Sequence, residues 1–140
     1  MRLLCVNGPN LNMLGLRDKN IYGNTTYKEL VKLIKKHTKE KGIKIKIYQS
    51  NSESKLVEKI QKSLNKFDGF ILNLAAYTHY SIALRDAVEL IKVKKVEVHI
   101  SNIFEREDFR KKSVIEDIVD KRIIGKGIQG YLDAIDYIRG

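Results

Sequence analysis

Two of the three histidines, His79 and His99, fall in stretches otherwise rich in asparagine, serine and threonine: "NLAAYTHYS" and "VEVHISN". Similar residues gather in "NGPNLN" (Asn7, Asn10, Asn12) and "QSNSES" (Ser50, Asn51). Such side chains donate and accept hydrogen bonds and, through histidine, exchange protons near neutral pH. They suit a small polar ligand. The signatures of other chemistries are missing. No CxxC or HxxxH spacing offers a metal site, no GxGxxG or glycine-lysine loop offers a phosphate cradle, and Ser101 lacks a GxSxG elbow. Cys5, the one cysteine, lies inside an apolar run and reads as an inert core thiol, while His37 stands among lysines and reads as surface. Taken singly, Asn and Ser at such places are also ordinary turn formers and caps.

What distinguishes these residues is what precedes them. "LLCV" and "DGFILNL" are continuous apolar runs, as expected of strands covered on both faces. "IKIKIY" alternates and reads as an edge strand; "KVEVHIS" and the short "RIIG" complete a set of five. Between them the spacing predicts helices. Leu30, Val31, Leu33 and Ile34 form one stripe, with Thr26 and Glu29 as a capping box and Gly42 as a stop. Leu56, Val57, Ile60 and Leu64 mark a second helix, and Leu84, Ala87, Val88 and Ile91 a third. A fourth is expected after Ser113 and Glu116, and Tyr131, Leu132, Ile135 and Ile138 mark the last. Strands alternating with helices imply an α/β fold, a doubly wound parallel sheet whose ligands bind beyond the carboxyl ends of the strands. The polar stretches lie at those ends. A polar loop at about 16–24, holding Arg17 and Tyr22 between Gly15 and Gly23, reads as a lid.

Length and composition set outer bounds. The 140 residues make one domain with room for a proper core. No apolar run approaches a membrane span, and the amino terminus lacks a signal-peptide pattern, so a cytoplasmic location and no membrane partner are expected. A lone cysteine fits a reducing compartment. The net charge of +10 comes from lysines spread over helical and strand faces, which reads as solvated surface rather than a nucleic-acid site.

The segments "NGPNLNMLGLRDKNIYG", "SNSESKLVEKI", "NLAAYTHYSIALRDA", "VEVHISNIFEREDFR" and "GKGIQGY", in this order over nearly the whole chain, resemble the type II 3-dehydroquinate dehydratases. The resemblance implies a flavodoxin-like three-layer sandwich and conversion of 3-dehydroquinate to 3-dehydroshikimate in the shikimate pathway. It implies no metal, no organic cofactor and no Schiff-base lysine, and a homo-oligomer, typically a dodecamer built as a tetramer of trimers. It makes Tyr22 the base and His99 the general acid of an anti-elimination through an enolate. A free phenol with a pKa near ~10 is ionised only to about one part in a thousand at pH 7, so a guanidinium beside it, Arg17, is needed to favour the phenolate. Glu97, two residues before His99, shares its strand face and would orient the imidazole.

By the same resemblance Asn10 and Asn73 organise the site, and backbone amides at Ile100 and Ser101 receive the substrate carboxylate. His79 and Arg110 hold ring hydroxyls, and Asp86 reaches a neighbouring subunit's site. Three places depart from the family pattern: Asp18-Lys19 where Glu-Pro is common, Ser52 and Ser54 where His and Gly are common, and Leu74-Ala75 where Pro-Gly or similar small residues are frequent. The rival reading is a flavodoxin-like binding module for an anionic metabolite or nucleic acid. It has no need of both a base and an acid.

Overall fold

The computed structural model describes residues 1–16 and 18–140. Five strands occupy the anticipated runs: β1 (Arg2–Asn7), β2 (Lys44–Gln49), β3 (Gly69–Asn73), β4 (Lys94–His99) and β5 (Lys121–Ile124). All neighbours pair in parallel in the order β2-β1-β3-β4-β5, the flavodoxin-like arrangement. Central β3 is buried at every residue and β1 at all but its first, whereas alternating β2 lies at the sheet edge. The edge strand turns lysines to solvent, which discourages pairing with another chain.

Helices cover both faces. On one side α2 (Tyr27–Glu40) and α5 (Gln129–Arg139) pack against Leu3, Cys5, Ile71, Val96 and Val98. On the other, α3 (Glu53–Ser63) and α4 (Ile82–Glu89) pack against Leu4, Val6, Phe70 and Leu72. These are the alternate residues of the same strands, as the period of two requires. Side-chain oxygens cap three of these four helices: Thr26, Ser52 and Ser81 accept from the backbone N–H of Glu29, Lys55 and Leu84. His37, expected at the surface, hydrogen-bonds through Nε2 to an Asp136 carboxylate oxygen at 2.8 Å, which ties α2 to α5.

Two expectations change. The helix expected after Ser113 is a series of turns. Val114 donates its N–H to the Thr78 carbonyl and Asp120 to that of Lys95, so the backbone is spent on tertiary partners. Val114 and Ile115 are buried in the α3–α4 side of the core without needing a helix. The expected loop at 16–24 contains a helical turn, α1 (Lys19–Tyr22), with the Asp18 carboxylate accepting from Asn20 N–H at 2.9 Å. Aspartate is a good N-cap, so the departure from the family pattern at Asp18 supplies its own local structure. Among the described residues no helix is long and apolar enough to cross a membrane.

Candidate active site

The carboxyl edge of the sheet is shaped first by Gly8. A Cβ there would sit 2.3 Å from the Leu74 carbonyl oxygen, so the turn after β1 presses onto the end of β3. Gly8 N–H bonds the Asn73 carbonyl, and Gln49 from β2 donates to the Gly8 carbonyl at 3.1 Å. Gln49 also reaches Asn12, which supports the turn rather than the cleft. Asn10 adopts φ +68°, a conformation asparagine tolerates, and its N–H is held by Asn51. Its side chain lines a cleft of about 450 Å³ together with Tyr22, Asn73, His79, His99, Ile100, Ser101, Arg106 and Arg110. Eight of these nine were expected from sequence.

The strand register explains how the cleft is assembled from both faces. Asn7 pairs with Asn73 across β1 and β3, so both point to the α2–α5 side. There they meet Tyr131 of α5, whose hydroxyl donates to Asn7 at 2.7 Å and accepts from the Asn73 amide at 2.8 Å. Asn7 in turn donates to Tyr27 of α2, and Asn73 accepts from Ala75 N–H. Burial pushes the Tyr131 phenol well above its ordinary range, so it stays a neutral donor. Burial likewise pushes the Cys5 thiol up to about 12, which leaves it unreactive as expected.

Glu97 and His99 rise on the opposite face, because Leu72 is the register partner of Glu97. Their side chains are 1% and 5% exposed and are joined by a 2.5 Å bond between His99 Nε2 and a Glu97 oxygen. Burial pushes the Glu97 carboxyl up, but the bond and charge of His99, the Arg122 cation and a Ser113 hydroxyl bond together hold it below the ordinary carboxylate range. Glu97 is thus a carboxylate at neutral pH. It commits Nε2 of His99 and leaves Nδ1 as the nitrogen able to serve a ligand. His79 stacks on His99 with centroids 6.3 Å apart. Burial lowers the pKa of His79, and its Nδ1–H donates to the Lys112 carbonyl, so Nε2 remains as an acceptor. The two rings are set up differently.

Tyr22 closes α1, and its hydroxyl accepts from Arg106 Nη1 at 2.6 Å, with the guanidinium also 5.2 Å above the ring. A charge-assisted donor on the phenol oxygen stabilises negative charge there. Arg106 was not anticipated; the signal was its place in "REDFR", four residues before the expected Arg110. Arg17, expected in this position, lies outside the described residues. Arg110 lines the cleft while its Nε holds Glu107. Asp86 is exposed on α4 and is not among the residues lining this chain's cleft.

A three-layer α/β sandwich with titratable groups converging over its carboxyl edge is the architecture of a flavodoxin-like protein with a polar cleft at its strand ends. The comparisons make that specific. The family model described as Dehydroquinase class II matches residues 1–139. A 3-dehydroquinate dehydratase of Thermotoga neapolitana is 51% identical over 99% of this chain and 94% of its own. The crystal structure of a type II dehydroquinase from Butyrivibrio crossotus superposes with a TM-score of 0.98 at 49% identity, covering 100% of this chain and 98% of its own. That of Propionibacterium acnes gives 0.94 at 36%, covering 98% and 94%. The chain belongs to the class II dehydroquinase family.

Proposed function

We propose that the protein is a 3-dehydroquinate dehydratase, eliminating water from 3-dehydroquinate to give 3-dehydroshikimate. The observation that carries this reading is one cleft lined by a phenol held by a guanidinium and an imidazole held by a buried carboxylate. The substrate is a β-hydroxy ketone, so its elimination needs both a base and an acid. Tyr22, as phenolate, takes the proton beside the ketone, and the electron pair moves onto the carbonyl oxygen as an enolate. The pair then returns to expel the hydroxyl, which leaves as water with a proton from His99. The phenol and neutral imidazole exchange their proton through solvent to reset the site. No imine to a lysine is formed at any step.

The remaining polar groups bind and orient. Asn10 and Asn73 organise the site, Asn73 near the substrate carboxylate and the water that stabilises the enolate; the backbone at Ile100 and Ser101 receives the carboxylate, and His79 and Arg110 hold ring hydroxyls. Arg17 joins Arg106 at the phenol when the segment around 16–24 closes and excludes water. Asp86 contributes to a neighbouring subunit's site within a dodecamer that works in the cytoplasm in aromatic biosynthesis. Purified protein mixed with 3-dehydroquinate is expected to show rising ultraviolet absorbance as the conjugated enone forms. A folded, assembled sample with no such rise overturns the reading.

A further inference from the structure

Glu97 accepts on both oxygens, and on the side away from His99 its partner is a permanent cation. Arg122 Nε donates to Glu97 Oε1 at 2.9 Å, and Nη1 donates to Glu116 at 3.2 Å. The guanidinium also lies over the Phe104 ring, 5.7 Å from its centroid. Sheet register fixes the contact, since Arg122 of β5 is the direct partner of Glu97 on β4. Cation, carboxylate and imidazole therefore form a line from the half-buried flank of the sheet into the cleft.

We infer that Arg122 is a positioning residue for the proton transfer: it keeps Glu97 ionised and sets the pH range over which His99 holds its proton. This rests on His99 being the proton donor. During turnover the positive charge on His99 disappears, and a buried carboxylate facing only a neutral ring draws a proton to itself. Arg122 is the charge that remains against Glu97 at that moment. It prevents the proton from lodging on the carboxylate and preserves the acceptor that fixes the ring's tautomer. The other groups around the pair are Ser113 and Glu116 from the segment before β5, His79 beside the ring, and Tyr22, Arg106 and Arg110 across the cleft. Of these, Arg106 and Arg110 are fixed cations that belong to the cleft. Arg122 alone of the three arginines bonds Glu97 directly.

The sign of its effect follows from charge. A fixed cation disfavours proton binding anywhere on the coupled pair, so removing it raises the proton affinity of both steps. Arg122→Gln keeps a donor without the charge, and Arg122→Lys keeps the charge. In Arg122→Gln the limb of kcat/KM that reports loss of the acid is expected to move to higher pH, on the order of one pH unit; in Arg122→Lys it stays near the wild-type position. The same titration is read without turnover by carbon-13 NMR of histidine-labelled protein, with His99→Gln used to assign the ring. A wild type that fails to turn over 3-dehydroquinate thus defeats the proposed activity while the NMR shift still tests the coupling. A folded Arg122→Gln whose His99 ring titrates with the wild type overturns the inference, since mere packing of Arg122 would move stability alone. If Arg122→Gln does not fold, Glu116→Gln at its exposed position reads the same line with opposite sign. A small shift to lower pH supports the inference, and none overturns it.

Discussion

Tyr22 and His99 face the cleft with different supports, and each support defines what its loss should do. Tyr22→Phe removes the oxygen to which Arg106 donates while keeping the ring under the guanidinium. Turnover of 3-dehydroquinate is expected to fall by about 10²–10⁴-fold or more with an unchanged thermal melt, in the range of a lost general base. Near-normal turnover removes Tyr22 from that role. Arg106→Lys keeps charge but not the fork, and an intermediate loss is expected from the same assay. The Glu97–His99 pair was legible in the sequence because two residues apart on a strand means one face. Arg106 on Tyr22 was not, since 84 positions separate them and only the folded loop brings them together. Arg122 on Glu97 was hidden for a related reason: strand register between β4 and β5 cannot be read from either strand alone.

Among the elements, those with strong periodicity were legible and those held by tertiary hydrogen bonds were not. Thr26, Ser52 and Ser81 sit before apolar stripes and cap the helices that follow. Ser113 is also placed before an apolar stripe, yet the chain there is tied to β4 and to Thr78 at both ends and forms turns. Its hydroxyl instead accepts from Ile115 N–H and bonds Glu97. The family departure at Ala75 has a backbone meaning: φ is +52°, in the left-handed region that glycine enters without penalty. The strain on a Cβ there is about 1–2 kcal/mol, and glycine's extra freedom in the unfolded chain offsets about 0.4–1 kcal/mol of it. Ala75→Gly is therefore expected to stabilise by about 0.5 kcal/mol net in urea unfolding; a clear destabilisation shows the Ala75 methyl to be a needed contact in the cleft wall.

At the scale of the whole molecule, large apolar side chains remain at the surface: Tyr80 at 63%, Ile82 at 57% and Phe109 at 65% exposed. Tyr80 and Ile82 flank the start of α4, the helix that carries Asp86. Such exposure suits contact with further copies, the arrangement that the proposed role of Asp86 requires. Sedimentation is expected to show a mass far above the 16.2 kDa of one chain, and a fully active monomer overturns the shared role of Asp86. The +10 charge gave no guidance here, because its lysines are dispersed over outer faces. The Asn7–Tyr131–Asn73 network carries a different kind of consequence, one for mutational history. All three are buried, so replacing Tyr131 by phenylalanine takes one hydrogen bond at once from the Asn7 oxygen and from the Asn73 amino group. A change at one of these positions leaves a buried partner short of a hydrogen bond unless the others change with it, and Asn73 also lines the cleft. Three residues drawn from the first strand, the third strand and the last helix are thereby coupled, so that the packing of the core and the lining of the cleft meet in one network.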